Sequence, residues 1–430
     1  MGGLVRIRKA VPAVLFFLSS MLILAAAPAG ASPVTIRALL WSDSPGGPLR
    51  TVLAHAVKRF NLQNAGLYTV VPQWAAPANA TATLSPLMSS GQAPDVFMTS
   101  EAALSALSGS GAVYSLSPAL TADPFWRARF PAGALQPLTF AGRVLAAPAA
   151  LRVGVLYYNT AFFSRDGLPP PHTVSDLSIA IKSFTGDGIT PIAIGGEGGR
   201  EAAVLAQQVA VRDGGSSIFD HGRAGTAEWT NPAMVRAAGY LEQLTALGAF
   251  PLTQAHMSDA QAVATFETGH AAMLFSSDPR LLVKLDSIKS PIRGHVDGVP
   301  FPVLSAYLGG SQPWVGTPEI NLAIDQRSAV KQAALLFIKS FSSPSTQVAL
   351  ARAGFLPVTT QAVDLAKTEP LMYGIRQYTR TMAAMTGQYS DILDPAQARD
   401  YQASIANILA RRDPDVVLAE LNTETSPRTE

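Results

Sequence analysis

Polar residues follow two of the apolar runs that the sequence predicts to be buried strands. They are Trp41, Ser42 and Asp43 at the end of the first run, and Thr99, Ser100 and Glu101 after a later one. Ligands of open α/β sheets bind beyond the carboxyl ends of the strands, so these side chains could offer carboxylate, hydroxyl and aromatic contacts to a small polar ligand. A turn Asp, a core Trp and a helix cap at Ser100 with a first-turn Glu would explain the same residues.

A glycine-rich loop, "GGEGGRE" at residues 195–201, precedes a predicted helix and carries Glu197 and Arg200. Exposed backbone N–H groups at a helix start suit an anion or a hydroxyl oxygen. The loop lacks the Lys-Ser/Thr of a nucleotide-binding P-loop. A surface turn is the alternative interpretation.

The sequence gives little support for catalysis, for a metal or for any other cofactor. It has no Gly-x-Ser-x-Gly motif, and its six histidines fall in separate elements without metal-ligand spacing. With 30 Asp and Glu residues some carboxylate pair could act on a glycoside, so a secreted carbohydrate-active enzyme stays a minor hypothesis.

These residues are positioned by alternating strands and helices. "VTIRALLW" predicts a strand, "LRTVLAHAVKRFNLQ" a helix, and "YTVVPQW" a second strand closed by Pro72, which together favour a mainly parallel sheet covered by helices. "AVATFETGHAAMLFSSD" predicts a further helix and strand, with Gly269 ending the helix before the buried strand.

Composition and the N-terminus indicate an exported, folded protein of two or three lobes. In 430 residues, 48% hydrophobic content with 14% charged residues is typical of a folded chain. Arg6, Arg8 and Lys9, an apolar run and Ala29-Gly30-Ala31 predict a signal peptide over 1–31, with a retained membrane anchor as the alternative.

Charge and cysteine content narrow the location and the partners. Loss of the three basic residues of the signal takes the formal net charge from +2 to −1, which does not favour nucleic acid as a partner. The absence of cysteine excludes disulfides and a lipoprotein anchor. We therefore expect a soluble periplasmic protein.

By "SSGQAPDVFMTSEAALSALSGSGAVYSL" the chain resembles the extracellular solute-binding proteins of ABC importers, in particular the carbohydrate-binding group with the maltodextrin and glycerol-3-phosphate receptors. Four later segments match in the same order over about residues 34–425: "GRVLAAPAALRVGVLYYNTAFFSRDGL", "TFETGHAAMLFSSD", "VDGVPFPVLSAYLGG…VGTPEINLAI" and "AALLFIKSFSSPSTQVALARAGFLPVTTQA".

The resemblance implies a periplasmic binding protein type II-like α/β fold, with two α/β lobes, hinge strands and a cleft between them. It places the N-terminal lobe at 32–148 plus 303–356 and the C-terminal lobe at 149–302 plus 357–430. The chain would cross between lobes near Ala147–Leu151, Pro300–Pro302 and Leu356–Val358.

The resemblance also adds ligand candidates. Arg152 lies where the maltodextrin receptors place an acid, and could bind hydroxyls or a phosphate or pair with an acid across the lobes. Asp278 and Arg280 occupy a loop in which many relatives carry a sugar-stacking Trp. That Trp is missing here, and Trp314, with Gly316 and Thr317, could supply the ring instead.

The function implied is capture of a sugar or oligosaccharide by hinge closure and delivery to ABC permease subunits, by a protein that is a monomer. Arg152, Arg200 and Arg280 leave a phosphorylated polyol or another anionic solute open as the alternative. A sensory role without an importer is a third hypothesis.

Overall fold

A computed structural model describes residues 32–42, 44–77, 80–215, 228–250, 257–302, 313–361, 369–380 and 382–425. The signal peptide predicted over 1–31 and the candidate Asp43 lie outside these ranges, as do residues 303–312 beside the predicted second crossing. Within the described part of the chain, no helix has the length and apolarity needed to cross a bilayer.

The first sheet has the strand order β2-β1-β3-β12 and is mainly parallel, as the sequence predicts, with β12 antiparallel to β3. Its strands are β1 (Val34–Trp41), β2 (Tyr68–Ala75), β3 (Val96–Thr99) and β12 (Asn321–Ile324). Leu40 packs in the core on one face of the sheet and Leu39 in the core on the other. Burial of both faces explains why the strands read as apolar runs.

Helices surround the first sheet, and one of them begins after Ser100, as the capping interpretation of the sequence predicts. Ser100 accepts a hydrogen bond from the Ala103 N–H and so caps α3. The helices are α1 (Pro48–Gln63), α2 (Ala80–Ser89), α3 (Glu101–Ser108), α4 (Ser117–Ala122), α5 (Pro124–Arg127), a 3₁₀ helix (Ala132–Leu138), α12 (Lys331–Phe341) and α13 (Pro344–Arg352), and a small hairpin joins β4 (Thr139–Phe140) to β5 (Arg143–Val144).

The second sheet has the order β10-β7-β9-β8. Its strands are β7 (Val155–Asn159), β8 (Thr190–Ala193), β9 (Ala271–Ser276) and β10 (Val296–Val299). The helices around it are α6 (Thr160–Arg165), α7 (Val174–Gly186), α8 (Arg200–Gly214), α9 (Pro232–Ala246), α10 (Asp259–Glu267), α11 (Arg280–Asp286), α14 (Pro370–Thr379), α15 (Tyr389–Ile392), α16 (Pro395–Leu409) and α17 (Pro414–Thr425). As predicted, Gly269 ends a helix in the left-handed region, with φ +75°, before the buried strand β9.

A third, four-stranded sheet connects the other two, and we call it the hinge sheet. Its order is β13-β6-β11-β14, formed by β6 (Ala150–Val153), β11 (Trp314–Glu319), β13 (Leu356–Pro357) and β14 (Met385–Thr386). Strand β6 leads through Gly154 into β7 of the second sheet, and β11 leads through Ile320 into β12 of the first. The fold is therefore two α/β lobes joined by hinge strands, as expected.

Two buried amides of α8 hold the hinge sheet against the second lobe. Gln208 accepts a hydrogen bond from the Val315 N–H at 3.0 Å, and Gln207 both donates to the Gly387 carbonyl and accepts from the Tyr389 N–H. These hydrogen bonds offset the free-energy cost of removing the amides from water. Strand β11 and the segment after β14 are thus fixed to the helix that begins one wall of the cleft.

One local expectation differs from the structure. Pro72 does not close β2, which continues to Ala75, because β2 is an edge strand in which a proline removes no ladder hydrogen bond. The crossing predicted at Pro300–Pro302 stays a prediction: Phe301 packs edge-on against Phe275 in the second core, and the next described residue is Pro313. From Trp314 the chain pairs with β6 as part of the hinge sheet. The lobe limits themselves stay a prediction.

The close packing of the hinge sheet predicts the effect of a single added methyl group. A Cβ at Gly316 would lie 2.7 Å from the Arg152 carbonyl oxygen and 2.8 Å from a Val153 methyl, so Gly316→Ala must separate β11 from β6. We expect a loss of about 1–3 kcal/mol in the free energy of unfolding, measured by urea denaturation.

Gly239→Ala is the matched control, because Gly239 lies within α9 and its Cβ would meet nothing within 4 Å. This variant should keep or gain stability, by up to about 1 kcal/mol, through higher helix propensity. A Gly316→Ala protein as stable as the wild type would contradict the packing described for the hinge sheet.

Candidate functional site

A cleft of about 490 Å³ opens between the first and second sheets, with the hinge sheet at its base. Its lining residues come from strand ends and helix starts of both lobes and from the hinge strands. They are Trp41, Leu49, Pro77, Thr99, Ser100, Arg152, Arg200, Glu201, Asp259, Ser277, Asp278, Pro279, Arg280, Thr317, Pro318, Glu319, Ile320, Asn321 and Phe355. This volume lies in the range of small-molecule sites.

The wall from the first lobe is built at the carboxyl ends of parallel strands. Trp41 is the last residue of β1 and Thr99 the last of β3, and the two strands are neighbours in the sheet. Parallel strands end at the same edge, so the indole and the hydroxyl reach the same side of the cleft. Ser100 follows, with its hydroxyl engaged as the cap of α3.

The wall from the second lobe centres on a buried carboxylate. Glu201, in the first turn of α8, is 5% exposed and accepts hydrogen bonds from the N–H and hydroxyl of Ser277 at 2.7 and 2.9 Å. Burial, reinforced by the nearby charge of Asp259, raises its pKa to about 7, although the Ser277 hydrogen bonds oppose the shift. The wall therefore holds an acid that titrates close to neutrality.

The loop after β9 completes this wall. The Asp278 carboxylate accepts from the backbone N–H of Arg280 at 3.0 Å and from its Nε at 2.8 Å, so the guanidinium and the carboxylate form one unit. Asp259 begins α10, and burial raises its pKa while Arg200 lowers it. The lining of this wall thus contains both carboxylates and guanidinium groups.

The base of the cleft is organised by one carboxylate, that of Asp391 on α15. Its Oδ2 accepts hydrogen bonds at 2.6 Å from both the Arg152 guanidinium and the Thr317 hydroxyl, and its Oδ1 accepts from Arg200 at 3.4 Å. Glu319 lies farther from Arg152, with 3.6 Å between Oε1 and Nε. Burial raises the pKa of Glu319, and the Arg152 charge opposes that shift.

The structure brings together eight of the residues predicted from the sequence. They are Trp41, Thr99, Ser100, Arg152, Arg200, Asp278, Arg280 and Thr317. For Arg152, the pairing with an acid that was left open as an alternative is the contact observed. Arg200 also donates to the Gln388 side chain at 3.3 Å.

Three predicted residues are buried away from the lining. Glu101 is 2% exposed and lies against Gly387, where a Cβ would approach its carboxylate to 2.5 Å. Trp314 is enclosed beneath the Arg212 guanidinium, 5.3 Å from the ring centre, so it cannot serve as a stacking platform. Gly316 is enclosed between hinge strands, and its role is close packing.

Two more candidates miss the lining for local reasons. Ser42 is buried, and its hydroxyl donates weakly to the Ser44 carbonyl at 3.4 Å. Glu197 is exposed on the turn before α8, where its N–H donates to the Met257 carbonyl, which is the surface-turn alternative.

Several lining residues were missed by the sequence interpretation although they stand in the quoted segments. Glu201 ends "GGEGGRE", Glu319 and Asn321 stand in "GTPEINLAI", and Phe355 in "ARAGFLPV". The acidic spacing alone does not separate cleft positions from helix caps. Among the described residues, no group of three or more His, Cys, Asp or Glu side chains is arranged to hold a metal ion.

Comparison with known proteins places this geometry in context. Residues 55–372 match the model of the family described as bacterial extracellular solute-binding protein. No curated protein matches the chain.

Solved structures of the same fold cover nearly the whole chain. A chitin oligosaccharide binding protein is 22% identical, with a TM-score of 0.69, over 91% of this chain and 98% of its own. The sugar-binding protein MalE from Xanthomonas citri is 17% identical, with a TM-score of 0.73, over 91% and 96%. The solute receptor AcbH, described as preferring β-D-galactopyranose, is 14% identical, with a TM-score of 0.77, over 92% and 98%. These similarities confirm the type II binding-protein fold.

The buried carboxylate predicts a pH dependence of stability. Since the pKa of Glu201 in the folded protein, about 7, exceeds the ordinary 4.5, the folded state binds its proton more tightly than the unfolded chain. Its contribution is complete below pH 4.5 and is lost as the pH rises through 7, an effect of up to about 3 kcal/mol. Glu201→Gln should remove this slope in urea denaturation between pH 4.5 and 8.

Glu242→Gln, an exposed position on α9, removes a carboxylate of the same kind as a control and should keep the wild-type slope. Parallel stability curves for the wild type and Glu201→Gln would refute the assignment of Glu201.

Proposed function

The chain belongs to the bacterial extracellular solute-binding family, and on that premise we propose that it captures a sugar or oligosaccharide in the cleft and delivers it to the permease of an ABC importer. The relatives of similar fold are described as binders of chitin oligosaccharides, galactopyranose and other sugars. The family and these relatives are binding proteins, and we extend this to the chain as capture without catalysis.

The observation that carries the proposal is the chemistry of the cleft lining. Sugars present an apolar ring face and several hydroxyl groups, which are recognised by aromatic rings and by planar polar side chains. Trp41 and Phe355 supply rings on the side of the first lobe, while carboxylates and guanidinium groups stand on the other walls. The lining thus combines the two kinds of group that a carbohydrate requires.

The same contacts weigh against the anionic solute. Arg152 and Arg200 share the Asp391 carboxylate, and Arg280 pairs with Asp278. The lining further includes the carboxylates of Glu201, Asp259 and Glu319. A phosphate would have to displace these internal acceptors from the guanidinium groups, whereas a neutral polyol can bind between charges that are already paired.

Capture by closure follows from the hinge sheet. Rotation at Gly154 and Ile320, where hinge strands pass into the lobe sheets, would move the lobes while both cores stay packed. A solute that contacts both walls binds the closed form more tightly and shifts the population toward it. The Arg280 backbone already approaches Gly354 of the opposite lobe, 3.3 Å from the position of a Cβ there. The rims of the closed lobes would then dock on the permease.

The remaining features of the proposal concern the mature protein. We place it in the periplasm as a soluble monomer after removal of residues 1–31, with no cysteine available for a lipid anchor. Its N-terminal lobe comprises 32–148 plus 303–356, and its C-terminal lobe comprises 149–302 plus 357–430.

Ligand titration tests the function. Purified mature protein is screened by thermal shift with galactose, maltose, xylobiose, diacetylchitobiose and glycerol-3-phosphate. A sugar at a hundred times its dissociation constant should add about 2.7 kcal/mol to stability. Small-angle scattering should show a smaller radius of gyration with that sugar. A thermal shift with glycerol-3-phosphate alone would contradict the sugar proposal and indicate that the solute is anionic.

The aromatic ring of Trp41 in the cleft lining gives a second prediction. Trp41→Ala should weaken binding of the identified sugar by ten-fold or more, measured by calorimetry, because a ring face is lost from the lining. Trp74→Ala is the control, since Trp74 packs beneath Arg50, 3.6 Å from the guanidinium, and does not line the cleft. Equal affinities for wild type and Trp41→Ala would show that the sugar does not stack on this wall.

A further inference from the structure

The junction between β11 and β12 carries a strained residue in the lining of the cleft. Ile320 has φ +56°, a conformation that costs a β-branched residue free energy and that concentrates at ligand sites and hinges. Pairing on both sides holds it there: β11 pairs with β6 up to Glu319, and β12 pairs with β3 from Asn321. The left-handed turn allows both flanking side chains, those of Glu319 and Asn321, to reach the cleft lining.

Asn321 has an acceptor without a donor. Its Nδ2 donates to the carbonyls of Thr99 at 3.1 Å and Pro318 at 2.9 Å, which uses both amide hydrogens and fixes the amide orientation. The residue is 2% exposed, and its Oδ1 has no hydrogen-bond partner in the described part of the chain. A buried acceptor in this state costs free energy unless a donor reaches it.

Glu319 offers a second acceptor. Its Oε1 faces Arg152 at 3.6 Å, beyond hydrogen-bond distance, because the guanidinium is drawn to Asp391 at 2.6 Å. Its enclosed Oε2 has no hydrogen-bond donor among the described residues. Two residues of the cleft lining, separated by one position, thus each carry an oxygen that has no hydrogen-bond donor among the described residues.

We propose that Glu319 and Asn321, the acceptor strip, bind two hydroxyl groups of the solute and select a neutral polyol over a phosphorylated one. This inference rests on the function proposed above and adds the recognition chemistry. A sugar can donate hydroxyl hydrogens to both oxygens. The charged end of a phosphate has only acceptors, so it would leave both oxygens unpaired and repel the Glu319 carboxylate. Sites built to pair with a hydroxyl reject analogues that lack it.

The test combines changes in the sugar with changes in the strip. For the sugar that binds best in the titration, each hydroxyl is replaced in turn by fluorine, which removes the donor and keeps the size. We expect two positions to lose about ten-fold or more in affinity for the wild type. Asn321→Ala should lose a similar factor for the parent sugar, and no further factor for the fluorinated sugar at one of those positions. This lack of additivity identifies a direct contact.

Glu319→Gln sharpens the test, because an amide oxygen held toward Arg152 leaves the NH₂ group facing the solute. The solute hydroxyl must then turn and accept from the NH₂ group, and it loses its charged acceptor. Affinity for the parent sugar should therefore fall about ten-fold, with no added loss for the analogue fluorinated at the second position. Asn61→Ala is the matched control: this amide pairs with both the N–H and the carbonyl of Val70, away from the cleft. It should lower the melting temperature and leave the affinity unchanged.

The outcomes separate the two proposals. Sugar binding in which every fluorinated position and the two strip variants combine additively would overturn the acceptor strip and leave sugar capture intact. Binding of glycerol-3-phosphate with no binding of any neutral sugar would overturn both. Should Asn321→Ala fail to fold, the fluorinated series on the wild type and on Glu319→Gln still decides, because a strip without contacts would show no sensitive pair of hydroxyl groups.

Discussion

The Asp391 carboxylate connects three elements that would otherwise meet only through packing. One oxygen accepts from Arg152 on β6 and Thr317 on β11, and the other from Arg200 at the start of α8. Both long hinge strands and the first turn of the second wall therefore depend on one acceptor. Since these donors lie at the base of the cleft, partly shielded from water, the interaction is stronger than the same contacts on an exposed surface. It fixes where the guanidinium groups of Arg152 and Arg200 stand.

Much of the fold is predictable from the sequence, because the spacing of apolar residues and the positions of Gly and Pro indicate local structure directly. Apolar runs predict β1 and β9, and the N-cap of α3 lies at Ser100, one of the two interpretations that the sequence allows for this residue. Pro72 was misleading, since a proline ends a central strand but is tolerated at an edge, and the edge position depends on strand order. Strand order is a property of long-range pairing that one sequence does not display.

Site residues at strand ends can be predicted from the sequence. Site residues that are placed by contacts between distant segments cannot. Trp41, Thr99 and Asp278 follow buried strands and line the cleft. Asp391 gave no signal, because α15 has four residues and no amphipathic period. The sequence predicts Trp314 as a stacking ring, yet the hinge sheet buries it against α8, a contact between segments about a hundred residues apart. The left-handed Ile320 is equally hidden, because nothing in its residue type favours that conformation.

The width and pairing of the hinge sheet restrict how the lobes approach each other. Four short strands lie side by side between them, with β6 hydrogen-bonded to both β11 and β13. Sliding β6 along β11 or β13 would break the hydrogen bonds of both ladders, whereas bending the sheet keeps them, so relative motion of the lobes should be mainly a rotation. Every solute would then meet the two walls along the same arc. Substitutions on the walls could alter selectivity without altering that trajectory, so binding preference and mechanical behaviour are separable properties of this molecule.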